Sequence, residues 1–286
     1  MAQKHLKQLQ QLGLIDAKST GRGKTSYNIT ARGLGFLSES YGLQKQSEIA
    51  GNKKHMEFFL DTASTEEVKK ILPWGILSGL TTNQKIFLQE GGVDFKQRAL
   101  ELISLVKAPV SLELTTNTLS EMVREAREYY SWDPTHVVVK VAMKGDGTGL
   151  EAIHELSSEG IPINATVMMT PLQAILAAKA GANYVSLFFN RIRDAGEDPV
   201  LAIKKTRTLL DADGLKAKII AGSIRQPTDV LDAAVAGAHV ITIPYKIMAQ
   251  LPYHSKSEET IREFDKAWQD FLALTNKPMV AQAAQL

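Results

Sequence analysis

The chain contains 286 residues, of which 44% are hydrophobic and 22% are charged, and it contains no cysteine. This ordinary globular composition excludes collagen-like repeats, coiled coils and disordered chains, and the missing cysteines exclude disulfides, thiolate zinc sites and thiol nucleophiles. No apolar run approaches the roughly 18 residues of a membrane span, and the polar first residues are unlike a secretory signal, so we expect a cytoplasmic protein without a membrane partner.

Charge divides the chain into a basic beginning and a mildly acidic remainder. Residues 1–55 hold nine Lys/Arg against three Asp/Glu, although the formal net charge of the whole chain is only +2. Such an asymmetry indicates two separate units.

The basic segment begins with a helical pattern, KHLKQLQQLGLI, and continues through a Gly-Arg-Gly turn at 21–23 into TSYNIT and ARGLGFL. This order of helix, turn, short strand and helix resembles the second half of a winged-helix domain, with the first helices missing. An incomplete fold buries little core, so we expect residues 1–43 to form a docked or flexible appendage that does not bind nucleic acid by itself. Residues 44–55 are polar and aperiodic, and we predict a linker there.

From Met56 onward, apolar runs rich in β-branched residues alternate with segments of helical period. The runs are Met56–Leu60, Gly75–Leu80, Val110–Thr115, His136–Ala142, Ile161–Met168, Tyr184–Phe189, Lys218–Ala221 and His239–Ile243. The helical segments include Thr65–Leu72, Leu119–Tyr130, Gly149–Ser158, Pro171–Ala180, Pro199–Asp211 and Pro227–Ala236. Runs such as HVVVKV are apolar nearly throughout, which is typical of parallel strands buried on both faces.

Eight such repeats predict a closed (β/α)8 barrel, which we assign to residues 56–286 together with a C-terminal helix. An open, doubly wound sheet is the alternative, but it usually carries Gly-x-Gly-x-x-Gly in its first βα turn. The nearest match is GDGTG at Gly145–Gly149, which follows the fourth run and has Leu150 where the third glycine would stand. The barrel is therefore favoured, and its functional residues should follow the carboxyl ends of the strands.

Lys140 interrupts the fourth apolar run, VVVKVA. Lysine is rarely buried completely, so three explanations stay open: a side chain that reaches solvent, a buried ion pair, or an amine that attacks a carbonyl to form a Schiff base. Asp61 ends the first run and Glu113 lies in the third. Each acid alone could be a helix cap or an ion-pair partner, but two acids beside a lysine suit proton transfer.

Polar residues also stand near the ends of other runs. Asn164 and Thr166 are two residues apart in the fifth run, as are Ser186 and Phe188 in the sixth, so each pair shares one face of its strand. The second run ends in a Thr-Thr-Asn sequence that suits either a plain turn or a binding site; its residues are Thr81, Thr82 and Asn83.

Cationic and hydroxyl side chains follow the sixth and seventh predicted strands. Arg191 comes after the sixth run, and Ser223 and Arg225 come after the seventh. Phosphate sites of barrels often lie after the seventh and eighth strands, and an arginine fork matches phosphate geometry. Gly222 beside them would permit a close approach of the backbone.

The ordered strings FLDTA, GLTTN, SLELT, VVVKVA, INAT, VSLFFNRI and AGSIR resemble the transaldolase family, in the short-chain branch that also includes fructose-6-phosphate aldolase. The likeness runs from about Met56 to Phe271. It implies aldolase chemistry without a cofactor, in which Lys140 forms the Schiff base and Asp61 is the general acid/base at the carbon-4 hydroxyl.

The resemblance also implies the remaining roles. Glu113 and Thr166 would hold a catalytic water. The residues implied for binding sugar hydroxyls are Asn83, Asn164 and Ser186, with Thr81 and Phe188 in the same site; those implied for the phosphate are Arg191, Ser223 and Arg225.

Four positions separate the two activities of this branch. By resemblance, fructose-6-phosphate aldolases carry Gln at position 113 and Tyr at 188, and lack Asn164 and Ser186. We therefore predict a transaldolase of the pentose phosphate pathway, which moves a dihydroxyacetone unit from sedoheptulose 7-phosphate or fructose 6-phosphate to glyceraldehyde 3-phosphate or erythrose 4-phosphate. The alternatives are a fructose-6-phosphate aldolase that releases free dihydroxyacetone, and a DNA-binding sugar-phosphate sensor.

Two residues depart from the family pattern: Gln84 and Ala142 stand where prolines are usual, which affects the stiffness of neighbouring loops.

The six histidines, at positions 5, 55, 136, 154, 239 and 254, show no metal-ligand spacing, so we expect no metal. The resemblance implies a homo-oligomer, a pentamer or decamer, with the last helix packed on a neighbouring copy.

Overall fold

The structure is a computed structural model that describes residues 9, 10, 12, 14–19, 25–30 and 56–275. The chain divides into two units, residues 1–55 and residues 56–286. The predicted linker and most of the predicted winged-helix-like segment lie outside the described residues.

The described part of the first unit contains an antiparallel hairpin. Strand β1 (Ile15–Ser19) pairs with β2 (Thr25–Ile29), so that Ile15 lies opposite Ile29. Leu14 and Ile15 are buried. The second strand falls where TSYNIT predicts one.

The second unit is a closed barrel of eight parallel strands in the cyclic order β3 to β10, because β10 pairs with β3. The strands are β3 (Glu57–Asp61), β4 (Leu77–Thr81), β5 (Val110–Glu113), β6 (Val137–Ala142), β7 (Ile163–Met168), β8 (Tyr184–Phe188), β9 (Lys218–Gly222) and β10 (Val240–Pro244). Each of the eight predicted apolar runs overlaps one of them, and four of the strands extend one residue beyond the run. The predicted barrel is confirmed, and its closure excludes the open sheet.

Helices connect the strands and surround the barrel. They are α1 (Thr65–Ile71), α2 (Gln84–Gln89), α3 (Phe95–Val106), α4 (Leu119–Trp132), α5 (Thr148–Ser158), α6 (Pro171–Lys179), α7 (Phe189–Asp194), α8 (Pro199–Ala212), α9 (Pro227–Ala236), α10 (Tyr245–Met248) and α11 (Ser255–Thr275). Helix α3 was not among the segments predicted from the sequence, although Asp94 caps its first turn by accepting a hydrogen bond from the Gln97 amide at 2.7 Å. That cap and the three buried residues of α3 were signals that could have revealed it.

Side chains along each strand point alternately into and out of the barrel, and the inward ones form layers in its interior. Phe59, Ile220 and Val240 pack together near the amino ends of their strands. Gly79 leaves room for this layer, since a Cβ there would lie 2.6 Å from the Phe59 ring and 2.7 Å from the Pro109 carbonyl oxygen. Two residues further along, the same faces carry polar groups or glycine: Asp61, Thr81, Gly222 and Thr242. The core therefore ends below a polar layer at the carboxyl ends of the strands.

Candidate active site

A cavity of about 170 Å³ opens at this polar layer. It is lined by Asp61, Thr81, Asn83, Lys140, Thr166, Ser186, Phe188, Arg191, Gly222, Ser223 and Thr242. Nine of the twelve predicted site residues are in this lining, so residues distant in the chain meet at one place, at the end of the barrel where (β/α)8 enzymes carry their active sites.

Lys140 lies inside the barrel with only 5% of its surface exposed. Its Nζ is 3.0 Å from Oε2 of Glu113 and donates a hydrogen bond to the carbonyl oxygen of Thr82 at 3.0 Å. The pairing of β5 with β6 sets Glu113 directly beside Lys140. The lysine therefore does not reach bulk solvent, and a partly buried carboxylate lies within reach of its proton.

Asp61 faces the same space from β3. Burial raises the pKa of this carboxyl, and the nearby charge of Glu113 adds to the rise, while Lys140 and a hydrogen bond from Thr81 oppose it. The Thr81 hydroxyl donates to Oδ1 of Asp61 at 2.6 Å. Because that hydroxyl has a single hydrogen, Thr242 must be the donor in the contact between the Thr242 and Thr81 hydroxyls. Thr242 was not predicted as a site residue, although it stands two residues after the inward-facing Val240 on the same strand.

A hydrogen-bonded chain of three buried side chains crosses the polar layer. Ser186 donates to Oδ1 of Asn164 at 2.7 Å, and Nδ2 of Asn164 donates to the Ser111 hydroxyl at 3.1 Å. These contacts fix which way the amide of Asn164 faces. Asn164 itself is not in the cavity lining, and Ser111 was missed by sequence analysis although it stands two residues before Glu113 on the same strand face.

Thr166 presents an unsatisfied hydroxyl to the cavity. It is completely buried, and its Oγ1 has no hydrogen-bond partner among the described residues. The next residue, Val167, has φ 61°, a left-handed conformation that β-branched residues avoid, and the pairing of β7 with β8 shifts register at this point. Buried hydroxyls normally have partners, so this one is suited to a water or substrate.

Arg191 and Phe188 form the rim on one side. The guanidinium of Arg191 lies 5.4 Å above the centre of the Phe188 ring, its side chain is exposed, and it makes no ion pair among the residues that the structure describes. Ser223, with φ 58°, also lines the cavity. Gly222 leaves space here: a Cβ would lie 3.6 Å from Thr242 and 3.7 Å from Phe188, which is ordinary contact.

Arg225 is not part of the cavity lining. Its guanidinium forms two hydrogen bonds to the carboxylate of Asp194, at 2.8 and 2.5 Å, and both side chains are about half exposed. Hydrogen bonding by Arg225 lowers the pKa of Asp194. This predicted phosphate ligand is therefore engaged by a carboxylate at the rim.

The Thr-Thr-Asn sequence after β4 both forms a turn into α2 and contributes to the cavity. Asn83 lines the cavity and also caps α2, because its Oδ1 accepts a hydrogen bond from the Ile86 amide at 3.1 Å. Gln84, where the family pattern has proline, donates from Nε2 to the carbonyl oxygen of Leu114 at 2.8 Å. This bond ties the loop after β4 to the end of β5.

Residues at the opposite ends of the strands have structural partners. Nδ1 of His136 lies 3.0 Å from Oδ2 of Asp133, and Nδ1 of His239 accepts a hydrogen bond from the Ile219 amide at 2.9 Å. Within residues 56–275 and the described part of the first unit, no three acids or histidines are grouped to hold a metal, and no helix there has the length and apolarity needed to span a membrane.

Comparison with known proteins relates this chain to sugar-phosphate enzymes. Residues 58–284 match the model of the family described as transaldolase/fructose-6-phosphate aldolase. A protein of Alkaliphilus metalliredigens named "Probable transaldolase" is 40% identical over 214 residues, which are 75% of this chain and 98% of that protein. The "Probable transaldolase 2" of Listeria monocytogenes is 43% identical over 216 residues, which are 76% of this chain and 97% of that protein.

Proposed function

The chain belongs to the transaldolase/fructose-6-phosphate aldolase family, and on this basis we propose that it is a transaldolase that carries a dihydroxyacetone unit from a ketose phosphate to an aldose phosphate. The observation that carries the proposal is the buried amine of Lys140, which lies in the cavity 3.0 Å from Glu113 and with Asp61 nearby. A nucleophilic lysine needs a dry site and a group that takes its proton, and both are present.

The reaction begins at Lys140. Its neutral amine, having given a proton to Glu113, attacks the ketose carbonyl, and the carbinolamine loses water to give a protonated imine. Asp61 takes the proton from the carbon-4 hydroxyl while the bond between carbons 3 and 4 breaks, so the electron pair passes into the imine and the aldehyde leaves. The remaining enamine adds to the acceptor aldehyde by the reverse steps, and water then releases the new ketose.

Asp61 suits its role because it must both take and return a proton. A general acid/base works best when its pKa lies close to the pH at which the enzyme operates, and burial moves the pKa of Asp61 in that direction. The hydrogen bond from Thr81 occupies Oδ1. Oδ2 then remains as the oxygen that receives the substrate proton.

The water that leaves and re-enters has a place in the same cavity. The free hydroxyl of Thr166 and the carboxylate of Glu113 would hold it, since water needs two or more polar partners in a buried site. Asn83 and Ser186, which line the cavity, would bind the hydroxyls of the dihydroxyacetone unit, and the buried Asn164 would orient Ser186 from behind.

The phosphate would bind at the rim, between Arg191 and Ser223. Arg225 would join them only by exchanging the Asp194 carboxylate for the phosphate, because its fork is already occupied. The arginine fork has the same geometry for both anions, which makes such an exchange chemically simple.

Phe188 favours transfer over release of free dihydroxyacetone. It lines the cavity where a tyrosine would supply a hydroxyl able to protonate the enamine, and a phenyl ring supplies none. The covalent enamine then waits for an acceptor aldehyde. Without an acceptor, free dihydroxyacetone should therefore form from fructose 6-phosphate only slowly. With erythrose 4-phosphate present, the enamine should add to it and give sedoheptulose 7-phosphate. Release of free dihydroxyacetone without an acceptor as fast as transfer with one would favour the aldolase instead.

Borohydride trapping tests the covalent step directly. Reduction in the presence of fructose 6-phosphate should attach the dihydroxyacetone unit to Lys140, as read by peptide mass spectrometry. The Lys140→Met variant should give no adduct, whereas Lys204→Met, on the exposed face of α8, should behave like the parent enzyme. An adduct that survives Lys140→Met would contradict the proposal.

Assembly is proposed through α11. An apolar stripe runs along this helix with a spacing of three or four residues, and each side chain is more than half exposed; its members are Ile261, Phe264, Trp268, Phe271 and Leu274. A stripe of this width normally packs against another surface, and a second copy of the chain would supply it, in a pentamer or decamer. Light scattering should show smaller particles for Phe264→Glu with Trp268→Glu, but not for Asp265→Ser on the same helix.

A further inference from the structure

The phosphate end of the cavity is built from two segments that are separate in the chain. One is α7, which carries Arg191, and the other is the loop between β9 and α9, which carries Ser223. An anion held by both segments needs them at a fixed spacing, because an error of about 1 Å in the placement of binding groups is enough to lower the rate severely.

Asp229, in the first turn of α9, is completely buried and contacts both segments. Its Oδ2 accepts hydrogen bonds from the backbone amides of Arg225 and Gln226, at 3.0 and 3.1 Å, and from Nδ2 of Asn190 at 2.6 Å. Its Oδ1 accepts from Nη1 of Arg193 at 2.9 Å and from Nε2 of Gln226 at 3.3 Å. Each oxygen therefore has one donor from α7 and at least one from the loop.

Asn190 forms a second link between the same segments. Its backbone amide and its Nδ2 both donate to the carbonyl oxygen of Ser223, at 3.4 and 2.9 Å. Ser223 has φ 58°, a conformation that a residue other than glycine keeps only when its surroundings impose it. Arg193 donates to Oδ1 of Asn190 at 2.7 Å, so that Asp229, Asn190 and Arg193 form a closed network behind the loop.

The charge of Asp229 is maintained in spite of its burial. Burial favours the neutral acid, but hydrogen bonds from Asn190, the Arg225 amide and Arg193 hold the pKa of Asp229 below its usual value. A helix cap needs only the amides of the loop. The hydrogen bonds from Asn190 and Arg193 come from a different helix, α7, so they are not needed to cap α9.

We propose that Asp229 is a positioning residue for phosphate binding: it locks the loop that carries Ser223 against the helix that carries Arg191. This inference rests on the proposed function, since it takes the phosphate of the sugar as the ligand of these two residues. Asp229 itself touches no substrate and acts through the segments that it joins.

The test is a calorimetric titration of inorganic phosphate into the full chain and into two variants with the same change of charge. Asp229→Asn replaces an accepting oxygen by an amide, so one loop amide or the Asn190 contact is lost. We expect its Kd for phosphate to rise roughly tenfold to a hundredfold, as for the loss of hydrogen bonds that involve a charged group. Asp232→Asn, at an exposed position of the same helix, should change the Kd less than twofold.

Two further measurements separate positioning from general damage. Asn190→Ala removes the side-chain hydrogen bonds to Ser223 and Asp229 but keeps the Asp229 carboxylate and its bond from Arg193, so it should weaken phosphate binding even if Asp229→Asn does not fold. Borohydride trapping at Lys140 with dihydroxyacetone, which lacks a phosphate, should saturate at the same concentration in the parent and in these variants.

Phosphate binding that is unchanged in both folded variants would overturn the proposal, as would a parent chain that binds no phosphate. Equal weakening of phosphate binding and of dihydroxyacetone trapping would also overturn it, because the whole site would then be loosened. Selective loss of phosphate binding supports it. If phosphate binding is weakened in the variants and neither the parent chain nor the variants form an adduct at Lys140, the role of Asp229 would be supported and the proposed reaction would be refuted.

Discussion

Replacing Asp61 by Asn should stabilise the protein at neutral pH while it removes the activity. The carboxyl lies in the cavity, and burial is the largest cause of its raised pKa. A group whose pKa is higher in the folded than in the unfolded chain makes the folded state less stable at every pH above both values. Asn keeps an oxygen for the Thr81 hydroxyl, carries no charge, and leaves Lys140 paired with Glu113.

The size of the effect follows from linkage. Each unit by which the pKa of Asp61 is raised corresponds to about 1.4 kcal/mol of lost stability at neutral pH. In a chain of this size, about 1 kcal/mol moves the Tm by roughly 2–4 °C. We therefore expect Asp61→Asn to melt at a higher temperature at pH 7. Its transferase rate should fall by roughly two to four powers of ten, the range for loss of a general acid/base.

The pH dependence gives the sign test. In the unfolded chain Asp61 titrates near pH 3.9, so the advantage of Asn should be complete above the raised pKa of the folded state and should vanish as the pH falls towards about 4. Differential scanning calorimetry of both proteins between pH 4 and 8 measures it, with Asp265→Asn on the exposed face of α11 as the control for a lost surface charge. A variant that melts lower at pH 7, or whose advantage grows as the pH falls, would refute the reasoning.

Two other substitutions follow from contacts at the rim and in the core. Asp194→Asn should free the Arg225 fork and lower the KM for fructose 6-phosphate several-fold in steady-state assays, with little effect on the Tm because exposed ion pairs contribute about 0–1 kcal/mol; a higher KM would show that the pair instead supports the rim. Gly79→Ala should cost about 1–3 kcal/mol or more in urea unfolding, because its Cβ would lie 2.6 Å from the Phe59 ring, whereas Gly222→Ala has ordinary contacts and should leave stability nearly unchanged while it narrows the cavity.

Strand positions and faces were predictable because alternation is a local property of the sequence. The apolar run around Lys140 placed that residue within a buried strand, and the spacing of Asn164 and Thr166 placed both on one face. Helix α3 was missed although Asp94 caps it and the apolar residues Ala99, Leu102 and Ile103 recur at helical spacing. The roles of Lys140 and Asp61 came from family resemblance, since their residue types alone allowed structural explanations.

The partners of the polar side chains were beyond the sequence. Thr242 and Ser111 lie in apolar runs with no local mark of function; closure of the barrel brings Thr242 to Thr81, and the pairing of β5, β6 and β7 brings Ser111 to Asn164. Arg225 looked like a phosphate ligand from its position after β9, but Asp194 is 31 residues away and nothing in the chain predicts that it faces the same guanidinium. Whether an arginine such as Arg225 pairs with an acid or binds a ligand therefore depends on the tertiary structure, which the local sequence does not show.

Unsatisfied groups identify the functional end of the barrel without reference to any relative. Of the three described residues other than glycine with left-handed backbone, Val167 and Ser223 lie beside the cavity. The unpartnered Thr166 hydroxyl and the raised pKa of Asp61 belong to the same place. Each of these features costs stability, and an interior selected for stability alone would have removed them. At the opposite end, polar groups are paired, as Lys218 is with Glu57. The imbalance between the two ends is therefore what a binding site for a polar, charged substrate requires.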